Sequence, residues 1–62
     1  MSATGELIRL INYVDDIMTT LRRISAAVPA MDADERTRLA DRLRGASTSI
    51  AAILGQLEKA GQ

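Results

Sequence analysis

At 62 residues the chain has room for one small domain, near the lower limit of what a single hydrophobic core stabilises. It has no cysteine and no histidine, which removes disulfides, the usual structural zinc sites and the commonest general bases and nucleophiles near neutral pH. Eight basic residues cancel eight acidic ones, so no global field draws the chain to nucleic acid or an anionic membrane, while an apolar fraction of 47% is high for so short a chain and reads as interface.

Residues 1–4 read as a frayed start, with Thr4 as an N-cap and Glu6 in the first turn, where its charge suits the helix dipole. From there Leu7, Leu10, Val14, Ile17, Leu21, Ile24 and Val28 follow at alternating spacings of three and four, the signature of a helix packed lengthwise against other helices. This predicts a first helix over about 5–28. Pro29 ends it, because the residue before a proline is pushed out of the α region, and Ala30 and Met31 complete the connection.

Asp32 followed by Glu35 has the spacing of a capping box, which starts a second helix at Ala33 and carries it over 33–60, with Gly61 as its stop. Its seam is Leu39, Leu43, Ala46, Ile50, Ile53, Leu57 and Ala60. Gly45 and Gly55 lie inside this helix, where each costs about 1 kcal/mol against Ala, and the line Ser47, Ala51 and Gly55 reads as a packing groove for a partner subunit. Asp34 with Arg38, Glu35 with Arg38 and Asp41 with Arg44 are spaced for surface ion pairs.

Both seams are wider than two-stranded packing needs. Ile11 and Met18 broaden the first, and Ala40, Ser47 and Leu54 the second, giving the stripes expected when each helix touches two neighbours. Ordering each residue opposes folding by roughly 1.5 kcal/mol, more than two helices along one seam usually offset. The fold class that follows is all-α: an antiparallel two-helix hairpin that dimerises into a four-helix bundle and forms a single domain over 1–62.

Chemistry is scarce. Asp15 and Asp16 are neighbours in sequence but point about 100° apart on a helix, so they do not converge as a paired-carboxylate site does. Asp32, Asp34 and Glu35 lack the ligand alternation, the Gly and the distal Glu of an EF-hand, and capping explains them without a metal. Tyr13 is the one aromatic residue, too few for a stacking platform on single-stranded nucleic acid. Arg9, Arg22 and Arg23 form a sparse basic row that Glu6, Asp15 and Asp16 interrupt. No cofactor or metal is called for. Charges break every apolar stretch well short of a membrane span, and no basic segment leads into an apolar core at the N-terminus, so a soluble cytoplasmic protein is expected.

The segment Met31-Asp32-Ala33-Asp34-Glu35 in a short two-helix chain resembles the turn of the Rop family of plasmid copy-number proteins. The resemblance covers these residues and overall length, and it implies an antiparallel homodimeric four-helix bundle. Aligned on the turn, Ala33, Ala40, Ser47 and Leu54 fall on a core line that is small or Cys in the family, and Leu43, Ile50 and Leu57 on its larger core positions. The family binds paired RNA loops through an Asn, an aromatic residue, a Gln and basic side chains of its first helix. Asn12 matches the Asn, whereas Asp16 stands at the aromatic position, Thr20 at the Gln position, and Gly5, Asp15, Met18 and Ala27 at the basic positions. Pro29 also departs from the family's turn.

The expected function is that of a small non-enzymatic, homodimeric interaction module that regulates or assembles a larger protein partner through exposed helix faces. The partner-binding residues are Ile8, Asn12 and Tyr13, with Arg9 and Asp16 at the rim, because the first helix has fewer self-satisfying charge pairs than the second and carries apolar side chains beside its seam. A Rop-like RNA-binding regulator is the alternative.

Overall fold

The computed structural model describes the backbone of residues 3–60 and the side chains of residues 5–59. Among them every regular element is helical: α1 (Ala3–Ala27), a 3-10 turn (Val28–Ala30) and α2 (Ala33–Ala60). The chain divides between Ala30 and Met31 into two units, one built on α1 and one on α2.

In α1 the apolar residues repeat every three or four positions and neither Gly nor Pro interrupts residues 6–28, so propensity and pattern agree. The helix begins at Ala3, earlier than expected. Thr4 is therefore inside it and not in the cap position, which requires a non-helical backbone, and its side chain lies outside the described residues. Glu6 occupies the first turn as anticipated and accepts a hydrogen bond from Arg9 Nη1 at 3.1 Å.

The end of α1 falls within a residue of expectation, but the connection is wound and not open. The α-helix stops at Ala27, and Val28, Pro29 and Ala30 wind into the 3-10 turn. Pro29 has no N–H to donate and its ring collides with the carbonyl four residues back, so the α-helix cannot run through it. Its fixed φ nevertheless lies within the 3-10 range, and the chain tightens there before leaving the helix. No cis peptide bond and no positive-φ residue occurs among the described residues, so the connection needs no left-handed position.

At the start of α2 the capping box is fully formed. Glu35 N–H donates to Asp32 Oδ1 at 2.8 Å, and Asp32 N–H donates to Glu35 Oε1 at 3.0 Å. The Asp32 carbonyl accepts the first helical bond from Arg36 N–H at 3.0 Å, which places Asp32 at the N-cap. The acidic first turn of α2, with Asp34 and Glu35, and Lys59 in its last turn both suit the helix dipole. The final stop assigned to Gly61 lies outside the described residues.

Three threonines bond within their own helix. Thr19 donates to the Asp15 carbonyl, Thr37 to that of Ala33 and Thr48 to that of Arg44, each at 3.1 Å. Each hydroxyl is satisfied without water, which lets these β-branched residues sit in helix interiors.

No side chain among the described residues is buried. Ile24, Val28, Met31, Leu39, Ala40 and Leu43 are half-buried, and the others are exposed. Along the seam of α1 from Leu7 to Leu21 the exposure runs from 56% to 37%, and on α2 Leu57 reaches 66%. Fully burying such a side chain stabilises by about 1.5–3 kcal/mol, so removing the exposed half from water is worth roughly 1 kcal/mol per residue. That exceeds the few tenths contributed by each exposed ion pair. Covering the seams is consequently the largest stabilising term open to these helices.

Candidate interaction site

The seam of α1 and the residues assigned to partner binding occupy different sides of the helix. At about 100° per residue, Leu7, Leu10, Val14, Ile17, Leu21 and Ile24 share one stripe, broadened by Ile11 and Met18. Arg9, Asn12 and Asp16, spaced three and four apart, sit together on the opposite face. Ile8 is four residues from Asn12, and Tyr13 is four from Arg9, so each adjoins that polar face.

Ile8 and Tyr13 are five residues apart, however, which separates them by about 140° around the helix. They flank the polar face from its two edges instead of forming one apolar contact. The surface on α1 is therefore a polar strip of Arg9, Asn12 and Asp16 bordered by an aliphatic side chain on one edge and a phenol on the other. Both bordering residues are 55% exposed, the same as Val14 on the seam. Exposure does not single them out; Ile8 stands off the seam, while Tyr13, three residues after Leu10 and four before Ile17, borders the seam as well as the polar face.

Arg9 is less available than its sequence position suggests. Its guanidinium is 3.1 Å from the Glu6 carboxylate, in an exposed i,i+3 pair that sequence spacing alone did not single out. Arg22 Nη2 donates to Thr19 Oγ1 at 3.5 Å. The basic row on α1 is thus partly tied to neighbours on its own helix.

On α2, Arg38 pairs with Asp34 at 3.4 Å and Arg44 with Asp41 at 2.7 Å, as the spacing predicts. The pair expected between Glu35 and Arg38 does not form, because Glu35 Oε1 is turned back to the Asp32 N–H. A backbone donor near the helix N-terminus holds this carboxylate in place of a flexible cation. The same two capping contacts occupy the carboxylates of Asp32 and Glu35, and among the described residues no group of acidic side chains is arranged to hold a metal ion.

Gly45 and Gly55 both lie within α2, and a Cβ added at either meets nothing within 4 Å. Within α2 itself, nothing therefore requires a glycine at these positions. No helix among the described residues is long and apolar enough to cross a membrane. Compared with known proteins, the chain matches no family model, no curated protein and no solved structure.

Proposed function

We propose that the chain is a non-enzymatic, self-associating helical module whose α1 and α2 fold back as an antiparallel hairpin, two of which pair as a four-helix bundle. The observation that carries this reading is the pair of apolar seams at helical spacing, exposed from Leu7 to Leu21 and from Ile50 to Leu57, with no described side chain buried. Stripes broadened by Ile11, Met18, Ala40 and Leu54 suit two neighbours per helix, and a two-fold pair of hairpins supplies them with one self-complementary surface. The polar strip of Arg9, Asn12 and Asp16, edged by Ile8 and Tyr13, faces away from that seam and is the surface offered to a larger protein partner. Its mixture of an aromatic, an aliphatic and a few polar groups with a balanced charge fits a protein contact better than a phosphate backbone.

The test has two arms. Sedimentation equilibrium and melting over a dilution series should show a dimer whose melting temperature falls on dilution into the low micromolar range; a compact monomer of unchanged stability refutes self-association. Replacing Ile8 and Tyr13 with Ser should then leave the dimer folded and abolish capture of a protein partner from the native host. If the double variant unfolds, these residues belong to the core and the surface is misassigned. If capture is removed by nuclease and falls steeply with salt, the ligand is RNA and the protein-partner reading fails.

A further inference from the structure

Between Arg44 and Glu58, α2 carries no charged side chain on any face, whereas charged residues crowd its first half from Asp34 to Arg44. Within that neutral stretch one line of residues has an internal symmetry. Arg44, Ser47, Ala51, Gly55 and Glu58 follow at spacings of three, four, four and three, so they lie along one side of the helix and mirror each other about Ala51. The centre is small, one end is a cation and the other an anion. All five are exposed, and Ile50 and Leu54 adjoin the line on its seam side at 44% and 51% exposure.

A two-fold contact sets each residue against its mirror position on the second copy. We infer that two copies of α2 pack antiparallel across this line, with Ala51 at the two-fold axis. Arg44 of each copy then faces Glu58 of the other, and Ser47 faces Gly55. A parallel arrangement sets Arg44 against Arg44 and Glu58 against Glu58, so the charges select the antiparallel one. Arg44 and Glu58 are about 21 Å apart along the helix, and a crossing of about 20° displaces the ends by only a few ångströms, within reach of an arginine side chain. Small side chains at the centre admit an axial separation near 8 Å, the lower limit of helix packing. Arg44, held by Asp41 at 2.7 Å within its own helix, gains a second carboxylate in the pair. Gly55 acquires a reason to lack a side chain, since it stands where the second helix comes closest to Ser47.

This inference rests on the self-association proposed above and adds the surface and orientation through which it occurs. The chain contains no cysteine, so single cysteine variants report proximity without background. In the full chain, Ala51→Cys should form a covalent dimer under mild oxidation, because helices so close bring facing Cα atoms into the range a disulfide spans, about 4.4–6.8 Å. Met18→Cys, placed between Asp15 and Arg22 on the corresponding flank of α1, should stay unlinked. Arg44→Glu should weaken dimerisation about tenfold by making two contacts repulsive, and adding Glu58→Arg should restore it to within about twofold. A dimer in which Met18→Cys links and Ala51→Cys does not overturns the α2 contact and leaves self-association intact. A wild-type chain that sediments as a monomer overturns the self-association reading and this contact together.

Discussion

Replacing Asp32 by Ala removes the carboxylate oxygen 2.8 Å from the Glu35 N–H and leaves that donor to water at the first turn of α2. The backbone N–H of residue 32 remains and can still donate to the Glu35 carboxylate, so one of the two reciprocal bonds is lost and the other kept. The expected cost is about 1 kcal/mol, whereas Asp32→Asn, which keeps an acceptor, should cost only a few tenths. Thermal unfolding of the two variants, followed by circular dichroism, measures the difference; equal melting temperatures would mean that the capping bonds contribute nothing to stability. Adding Glu35→Ala to Asp32→Ala removes the second bond as well and should lower the melting temperature further.

The two ends of the connection show what a sequence reveals about an element. The start of α2 is legible to the residue because Asp32 and Glu35 must sit three apart to reach each other's backbone N–H, and few other structures use that spacing. Pro29 is a less specific signal. It forbids continuation of the α-helix but leaves open whether the chain opens out or tightens, and here it tightens into a 3-10 turn. The Glu35–Arg38 spacing misleads for a related reason: spacing counts candidate partners but does not rank them, and here a fixed backbone donor outcompetes a mobile guanidinium. Ile8 and Tyr13, near each other in sequence, stand about 140° apart on a helix that turns about 100° per residue. Glycine in α2 offers a test at the same scale. Gly45 lies away from the seam, and a Cβ there meets nothing within 4 Å. Gly45→Ala should raise stability by roughly 0.5–1 kcal/mol through helix propensity and the narrowed unfolded ensemble. A lower melting temperature would show that a neighbouring helix occupies the space beside it.

For the whole molecule, the decisive quantity is how much apolar surface the helices still expose when the chain is taken alone. Ile17 is 46% exposed and Ile50 is 44% exposed, values that describe surface residues. In the proposed bundle both become mid-seam core positions, where truncation leaves a cavity that the surroundings cannot easily fill. Ile17→Ala and Ile50→Ala should each destabilise the assembly by about 2–5 kcal/mol. Arg38→Ala should cost a few tenths at most, because its partner Asp34 is 3.4 Å away on a solvated face. Chemical denaturation at one fixed protein concentration compares the three variants fairly, since the stability of an obligate dimer depends on concentration. If all three variants melt together, the stripe assigned to the core is not the one that is covered.

Tyr13 is the chain's one aromatic residue, which gives the phenol at the edge of the polar strip a consequence beyond packing. With no tryptophan and no phenylalanine, all aromatic ultraviolet absorption and intrinsic fluorescence come from this single side chain. The optical signal of the protein therefore originates at one known place on α1, the border between the polar strip and the seam through which the helices are proposed to join. Assembly along the seam should take one edge of the ring out of water and a ligand on the outer strip the other, so the first change follows protein concentration and the second follows added ligand. A dilution series and a ligand titration in one fluorimeter, on the unlabelled protein, thus separate association of the chains from occupation of the strip.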